Sequence, residues 1–158
     1  MTAENVVSFF QGDHKRLDAL FVNFQTNKKA HPAQARDFFR EFKLGLERHI
    51  GWEEDILFPV FEKVTGMQSG GPTTVMRHDH QEIKAALERV HECVLSGKFD
   101  SDSAEKLLLE LLGAHNWKEE KILYPIIDNM TTEEDRNEIF GKIKGMPEKK
   151  NNCCHLED

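Results

Sequence analysis

Cysteine and proline are scarce in this chain, which holds three cysteines and five prolines in 158 residues. Cys93 lies within a helical pattern, and Cys153 and Cys154 are adjacent near the end of the chain, so no disulfide framework is indicated. A reducing compartment is therefore favoured. Since little proline interrupts the long polar and apolar periodicities, the sequence predicts an all-α domain.

Long apolar runs and excess positive charge are also missing. No stretch approaches the roughly 18 apolar residues that a membrane helix needs. Residues 1–5 carry neither a basic nor a long apolar run, so we expect no secretory signal, no membrane association and a cytoplasmic location. The net charge is −7, which argues against nucleic acid as the main partner because phosphate binding needs a basic surface.

Four long segments carry apolar residues every three or four positions, which is the spacing of one face of a helix. The first is predicted over about 3–27, and the second begins at Pro32 and is kinked or closed by Pro59. The third follows the glycine-containing linker 65–72 and stops near Gly97, and the fourth begins near Ser101. A capping box at 131–134 predicts a short fifth helix to about Lys144. We expect a domain over 1–146 and a disordered polar tail over 147–158.

The two halves of the chain match without a gap at an offset of 66 residues. This repeat predicts an up-down four-helix bundle made from a duplicated helical hairpin, with an approximate two-fold axis between the copies. The matched positions are Asp13 with Asp79, His14 with His80, His49 with His115, Glu53 with Glu119, Glu54 with Glu120, and 56–60 with 122–126.

Six polar residues interrupt the apolar stripes at symmetric positions. One histidine on such a stripe is most often an ordinary core residue, but four histidines with two glutamates are a different case. Two buried carboxylates without partners would cost several kcal/mol each, and no Lys or Arg lies on these stripes near them. We therefore predict a pair of metal ions bound by His14, His49, Glu53, His80, His115 and Glu119.

The spacing H-x-x-x-E places an imidazole and a carboxylate one turn apart on the same helix face. The imidazole can bind one ion, and the longer carboxylate can bridge two. Nitrogen and oxygen ligands without thiolate suit iron or manganese, and zinc remains possible. Di-iron carboxylate bundles ordinarily use Glu-x-x-His with additional glutamates, so this histidine-rich set is a different class of site.

The motifs His14, His49-Ile-Gly-Trp-Glu53, His80 and His115-Asn-Trp-Lys-Glu119 resemble those of the hemerythrin-like family of HHE cation-binding domains. A repeated run, Glu-Glu-x-x-Leu-Phe/Tyr-Pro, adds to the resemblance, which covers about residues 5–130. The resemblance implies a four-helix bundle with two iron ions joined by an oxo or hydroxo bridge. It also implies a small ligand such as dioxygen, peroxide or nitric oxide, or a role in handling iron itself.

Two positions depart from the oxygen-carrying hemerythrins. Met76 stands where those proteins have an additional histidine, and the last motif ends in Glu119, four residues after His115, instead of in aspartate five residues after it. Of about twelve coordination positions on two six-coordinate ions, the six residues and a bridging solvent fill about ten. One open position on each ion argues against simple oxygen transport. Three alternatives remain: a sensor or regulatory module, an iron-handling protein and a metal-free bundle. Because no residue beside the site is dedicated to acid or base catalysis, catalytic turnover cannot be inferred from the ligands.

The remaining polar and aromatic residues of interest receive ordinary interpretations from their helical spacing. We expect Met76 in the core and His78 facing outward. Glu54 and Glu120 are expected on a solvated face, with a supporting role beside the metal ligands as the alternative. Tyr124 is predicted to point away from the metal ions. The other predictions are packing roles for Trp52 and Trp117, surface positions for His31 and His91, and no more than an incidental metal-binding capacity for Cys153-Cys154-His155.

Overall fold

Four long helices and a short fifth helix form the computed structural model, which describes residues 4–67, 69–97 and 100–146. Two of the long helices continue through a π-helical turn, and no strand occurs among the described residues. The all-α bundle predicted from the sequence is therefore confirmed, whereas the predicted tail and its Cys153-Cys154-His155 lie outside the described residues. The elements are α1 (Val6–Asn27), α2 (Pro32–Trp52), a first π turn (Glu53–Leu57), α3 (Phe58–Thr65), α4 (Pro72–Leu95), α5 (Asp102–Lys118), a second π turn (Glu119–Leu123), α6 (Tyr124–Met130) and α7 (Glu133–Gly145).

The first helix begins three residues later than the sequence predicts, because two side chains bind its free amides. The Asn5 side chain accepts a hydrogen bond from the backbone N–H of Ser8 at 2.7 Å, as an N-cap residue does. The Asp128 carboxylate of α6 accepts hydrogen bonds from the N–H groups of Val6 and Val7 at 2.8 and 3.1 Å. These bonds fix the start of α1 against the other half of the bundle.

The second long helix continues past Pro59 to Thr65, so of the two alternatives, a kink or an end at this proline, the end is wrong. Pro59 lies in the first turn of α3, where its missing N–H leaves no hydrogen bond unmade. The turn before it is π-helical: Phe58 N–H bonds to the carbonyl of Glu53, and Tyr124 N–H bonds in the same way to Glu119. Each π turn holds one residue more than an α turn, which changes the direction of the side chains that follow.

The apolar core is divided into two clusters, and the six predicted ligands lie between them. One cluster is built around Phe21, Phe42 and Leu87. The other surrounds Phe10 and Phe58 and includes residues of α7. The short helix α7 covers this second cluster with Ile139, Phe140 and Ile143. The polar layer is thereby shielded on both sides, which strengthens electrostatic interactions within it.

None of the described helices has the length and apolar character required to cross a membrane.

Candidate metal centre

The six predicted ligands converge in one buried layer, with one histidine supplied by each of α1, α2, α4 and α5 and the two glutamates by the π turns. None of the six is more than 5% exposed. Ligand atoms of Glu53, His80, His115 and Glu119 lie within 4.8 Å of one another, and those of His14, His49 and Glu119 do the same. Two neighbouring clusters that share a glutamate can hold two ions.

Each glutamate lies between histidines that belong to different clusters. This is the position required of a carboxylate that bridges two ions, as the H-x-x-x-E spacing predicts. The distances are 2.9 Å from Glu119 Oε1 to His115 Nε2, 3.5 Å from Glu119 Oε1 to His14 Nε2, 3.3 Å from Glu53 Oε1 to His49 Nε2, and 3.4 Å from Glu53 Oε1 to His80 Nε2.

A carboxylate lies beside the Nδ1 atom of every histidine in the layer. The partners of His49 and His115 are hydrogen-bonded, which orients the imidazole and leaves its Nε2 atom for a metal ion. The carboxylates near His14 and His80 are further away, and the Nδ1 atoms of these two histidines make no hydrogen bond. The four pairs repeat at the offset of 66 residues. They are His49–Asp13 at 2.8 Å, His115–Asp79 at 3.1 Å, His80–Glu54 at 3.6 Å and His14–Glu120 at 3.7 Å.

Glu54 and Glu120 were therefore assigned wrongly to a solvated face. Their side chains are only 21% and 22% exposed, and they reach across to the histidine of the other half of the chain. Helical spacing within one half does not reveal this role, because the partner histidine comes from the repeated copy.

Several buried polar atoms of the layer have no hydrogen-bond partner. They include Oε1 of Glu53 and both carboxylate oxygens of Glu119. A buried polar atom without a partner costs about 1–3 kcal/mol, and more if the group is charged. A divalent cation between the carboxylates and the Nε2 atoms would satisfy these oxygens, and this mixture of oxygen and nitrogen donors suits a first-row transition metal. The residues present thus fit a metal centre.

Without a metal ion, the two glutamates have different affinities for a proton. Burial raises the pKa of Glu53, and the nearby Glu119 carboxylate raises it further. Burial also acts to raise the pKa of Glu119, but the neighbouring carboxyl group of Glu53 and the charge of His115 lower it well below its ordinary value. Burial lowers the pKa of His115, yet Glu119 outweighs this effect and raises that pKa to about 9. The metal-free layer is therefore a network of shared protons.

The prediction that Tyr124 points away from the metal layer was wrong. Its buried hydroxyl donates a hydrogen bond to Glu53 Oε2 at 2.8 Å and lies 3.5 Å from the Nε2 atoms of both His14 and His49. The π turn before Tyr124 rotates the side chain into the layer, whereas uninterrupted helical spacing directs it outward. The repeated run Glu-Glu-x-x-Leu-Phe/Tyr-Pro, which places Tyr124 at a fixed distance after the glutamates, is the feature of the sequence that could have indicated this position.

The equivalent residue in the first half is Phe58, which has no hydroxyl. Its ring stacks on His80 with centroids 5.8 Å apart and an interplanar angle of 12°, as the Tyr124 ring packs near His14 at 5.9 Å. The duplicated layer is thus symmetric in its rings and carboxylates and asymmetric in one oxygen atom.

The other interpretations from helical spacing had mixed outcomes. Met76 is in the core and His78 is exposed, as predicted. His91 is buried against the ring of Phe39, not on the surface. Trp117 is 58% exposed, so its assignment to packing was wrong. The correct predictions are those for Trp52, which packs in the second cluster, and His31, which is exposed.

Comparisons with known proteins agree with this geometry. Residues 5–127 match the hemerythrin HHE cation binding domain. An uncharacterized hemerythrin-like protein of Schizosaccharomyces pombe is 27% identical over 123 residues, which is 78% of this chain and 59% of that protein.

Two proteins named as iron-sulfur cluster repair proteins are similar over shorter segments. The one from Neisseria gonorrhoeae is 31% identical over 75 residues, 48% of this chain and 46% of its own length. The one from Dickeya chrysanthemi is 42% identical over 43 residues, 27% of this chain and 20% of its own length. The chain therefore spans one fifth to three fifths of the relatives it matches, and no solved structure matches it significantly. Because the family match covers most of the chain and all six residues of the buried layer, the chain belongs to the hemerythrin HHE cation binding domain family.

Proposed function

We propose that this chain is a non-heme di-iron protein that binds or reacts with dioxygen, peroxide or nitric oxide. The observation that carries the proposal is the pair of buried ligand clusters that share Glu119, with two histidines in each. Two iron ions joined by an oxo or hydroxo bridge would supply redox chemistry and open positions for a small ligand. Manganese or zinc fits the same donors with less support from the family.

The protein's own contribution is to hold and orient the donor atoms. Asp13 and Asp79 accept hydrogen bonds from Nδ1–H of His49 and His115, which fixes the Nε2 lone pairs toward the cluster interior. Tyr124 donates to Glu53 Oε2 and so selects one orientation of that carboxylate. The apolar clusters on either side keep water from the two ends of the layer.

A second candidate function is iron handling without turnover, in which the chain stores or delivers iron or senses its loss. The names of the bacterial relatives, which are iron-sulfur cluster repair proteins, favour it. If this function is correct, iron should move from the loaded protein to a second protein that assembles an iron-sulfur cluster. A protein that only binds small ligands would keep its iron under the same conditions.

The metal content and the visible spectrum of aerobically purified protein test the proposal. We expect about two iron ions per chain and charge-transfer bands that shift on addition of azide or peroxide. His80→Ala should abolish the shift, and His78→Ala, which changes an exposed histidine on the same helix, should leave it intact. One zinc ion, or no metal, together with a silent spectrum would contradict the proposal.

A further inference from the structure

A cavity between α1 and α5 reaches one of the metal-binding histidines from the surface. Its volume is about 380 Å³, and its walls include His14, Asp18, Gly113, Trp117 and Glu120. A Cβ atom added at Gly113 would meet no other atom within 4 Å, so the glycine opens this side of the cavity. Solvent can therefore approach the layer along the groove between these helices.

A smaller void continues inward from the same place. Its volume is about 10 Å³, and it shares His14 and Asp18 with the outer cavity. Its other walls include the apolar side chains of Leu17, Phe42 and Leu46. A void of this size holds about one small molecule the size of water. The two spaces lie against the same residues, and the inner one has the dimensions of a diatomic molecule or peroxide beside His14.

The equivalent face of the other half is closed. Glu47 occupies the position that corresponds to Gly113, and its carboxylate is 2.6 Å from the ammonium group of Lys43. Lys43 is only 2% exposed, so its side chain covers the groove. The cavity on this face is smaller, about 230 Å³, and its walls are Glu47, Lys84, Leu87 and Glu88, without a metal-binding histidine.

The charged residues at the two faces also differ. Lys84 lies 3.7 Å from Glu54 and draws this carboxylate across the groove in front of His80. The position of Lys84 is occupied in the other half by Asp18, an acidic residue that cannot form an ion pair with Glu120. The ion pair of Lys84 with Glu54 therefore has no equivalent between positions 18 and 120. His80 is 1% exposed and His14 is 5% exposed.

We infer that the duplication has left one closed and one open face, and that the cavity between α1 and α5 is the access route by which a small ligand reaches the ion held by His14 and His49. This inference rests on the proposed di-metal function. It assigns Asp18 and Gly113, which are not ligands, to the control of access.

The test gives the open face the residues of the closed face, in the double variant Asp18→Lys with Gly113→Glu. Glutamate replaces glycine within an exposed stretch of helix, which favours folding. In iron-loaded protein, the association and dissociation rates of azide should both fall, on the order of tenfold, while metal content and Kd stay the same. The added net positive charge would speed the approach of an anion, so a lower rate reports obstruction.

The matched control places the same side chains one residue further along each helix, in Ala19→Lys with Ala114→Glu, where both positions are exposed. Azide rates in this control should equal those of the wild type. Unchanged rates in the Asp18→Lys, Gly113→Glu variant, or equal slowing in both variants, would overturn the access route.

Zinc-loaded protein separates failure of the access route from failure of the di-iron function. Dissolved dioxygen is paramagnetic and enhances the nuclear relaxation of methyl groups that it can approach. We expect stronger enhancement at Leu17 than at Ile83, its equally buried counterpart in the other half, and loss of the difference in the Asp18→Lys, Gly113→Glu variant. Equal enhancement at both methyl groups would overturn the access route even where iron shows no azide band.

Discussion

Every histidine of the metal layer has one nitrogen near a carboxylate and the other facing the interior. The Asp13 and Asp79 carboxylates bond to histidines of their own halves, and Glu54 and Glu120 lie near histidines of the opposite halves. Removal of such a partner typically lowers metal affinity about 10- to 100-fold. Besides the six candidate ligands, these four carboxylates are therefore expected to affect metal affinity.

Tyr124→Phe is the smallest change that tests the asymmetry of the layer, because it gives this position the residue of its counterpart. The variant removes the donor to Glu53 Oε2 and keeps the ring. We expect metal-free protein to lose about 1–3 kcal/mol of unfolding free energy, measured by urea denaturation, with metal content unchanged. Stability equal to that of the wild type would show that the hydroxyl does not stabilise Glu53.

Residue types allow prediction of the six residues that converge in the buried layer but not of the tyrosine. His and Glu on an apolar stripe contradict the pattern around them, so each is visible in the sequence. An aromatic residue fits the apolar pattern of a helix, so Tyr124 does not stand out in the sequence. The direction of its side chain depends on the one additional residue in the preceding π turn. The partners of Glu54 and Glu120 could not be predicted either, because they lie in the other half of the chain.

At the scale of elements, the helices were predictable and the π turns were not. Apolar spacing located the helices to within a few residues, and Gly97, at a φ of 69°, follows the end of α4 as expected. The additional residue of a π turn affects too few positions to change the apolar periodicity of the sequence. Its effect is nevertheless large, because Phe58 and Tyr124 enter the layer only after these turns.

The N-cap of α7 is expected to contribute to stability without affecting the metal layer. Thr132 accepts a hydrogen bond from Asp135 N–H at 3.1 Å, and Asp135 accepts one from Thr132 N–H at 2.9 Å. Thr132→Ala should lower the unfolding free energy by about 1 kcal/mol, measured by thermal denaturation. Thr26→Ala, near the end of α1, is the control and should have little effect. A change in iron content in Thr132→Ala would contradict the independence of the two regions.

For the whole molecule, folding, metal binding and protonation are coupled through the buried layer. Metal ions and protons compete for the same nitrogen and oxygen atoms, so metal binding releases protons. The ions also bind the folded state in preference to the unfolded chain, so loading with metal raises the apparent stability. Purified metal-free protein should consequently respond to pH more strongly than the loaded form.

The pKa of His115, about 9 in metal-free protein, gives the sign of this response. Because the folded-state pKa lies above the ordinary value near 6.5, charged His115 stabilises metal-free protein fully below about pH 6.5. This contribution is lost as the pH rises through about 9. The unfolding free energy measured by urea at pH 6 and pH 9 should fall more in wild type than in His115→Gln. Equal falls would contradict the raised pKa.

The paired π turns give the relative order of two events in the history of this chain. Both halves carry the additional residue at the same place, immediately after H-x-x-x-E. The simplest chronology places this insertion in the ancestral hairpin, before its gene was copied. The hydroxyl of Tyr124, the glycine at 113 and the lysine at 84 occur in one copy only and so diverged afterwards. A symmetric ancestor with two identical faces would then have become a molecule whose two faces differ in sequence and in shape.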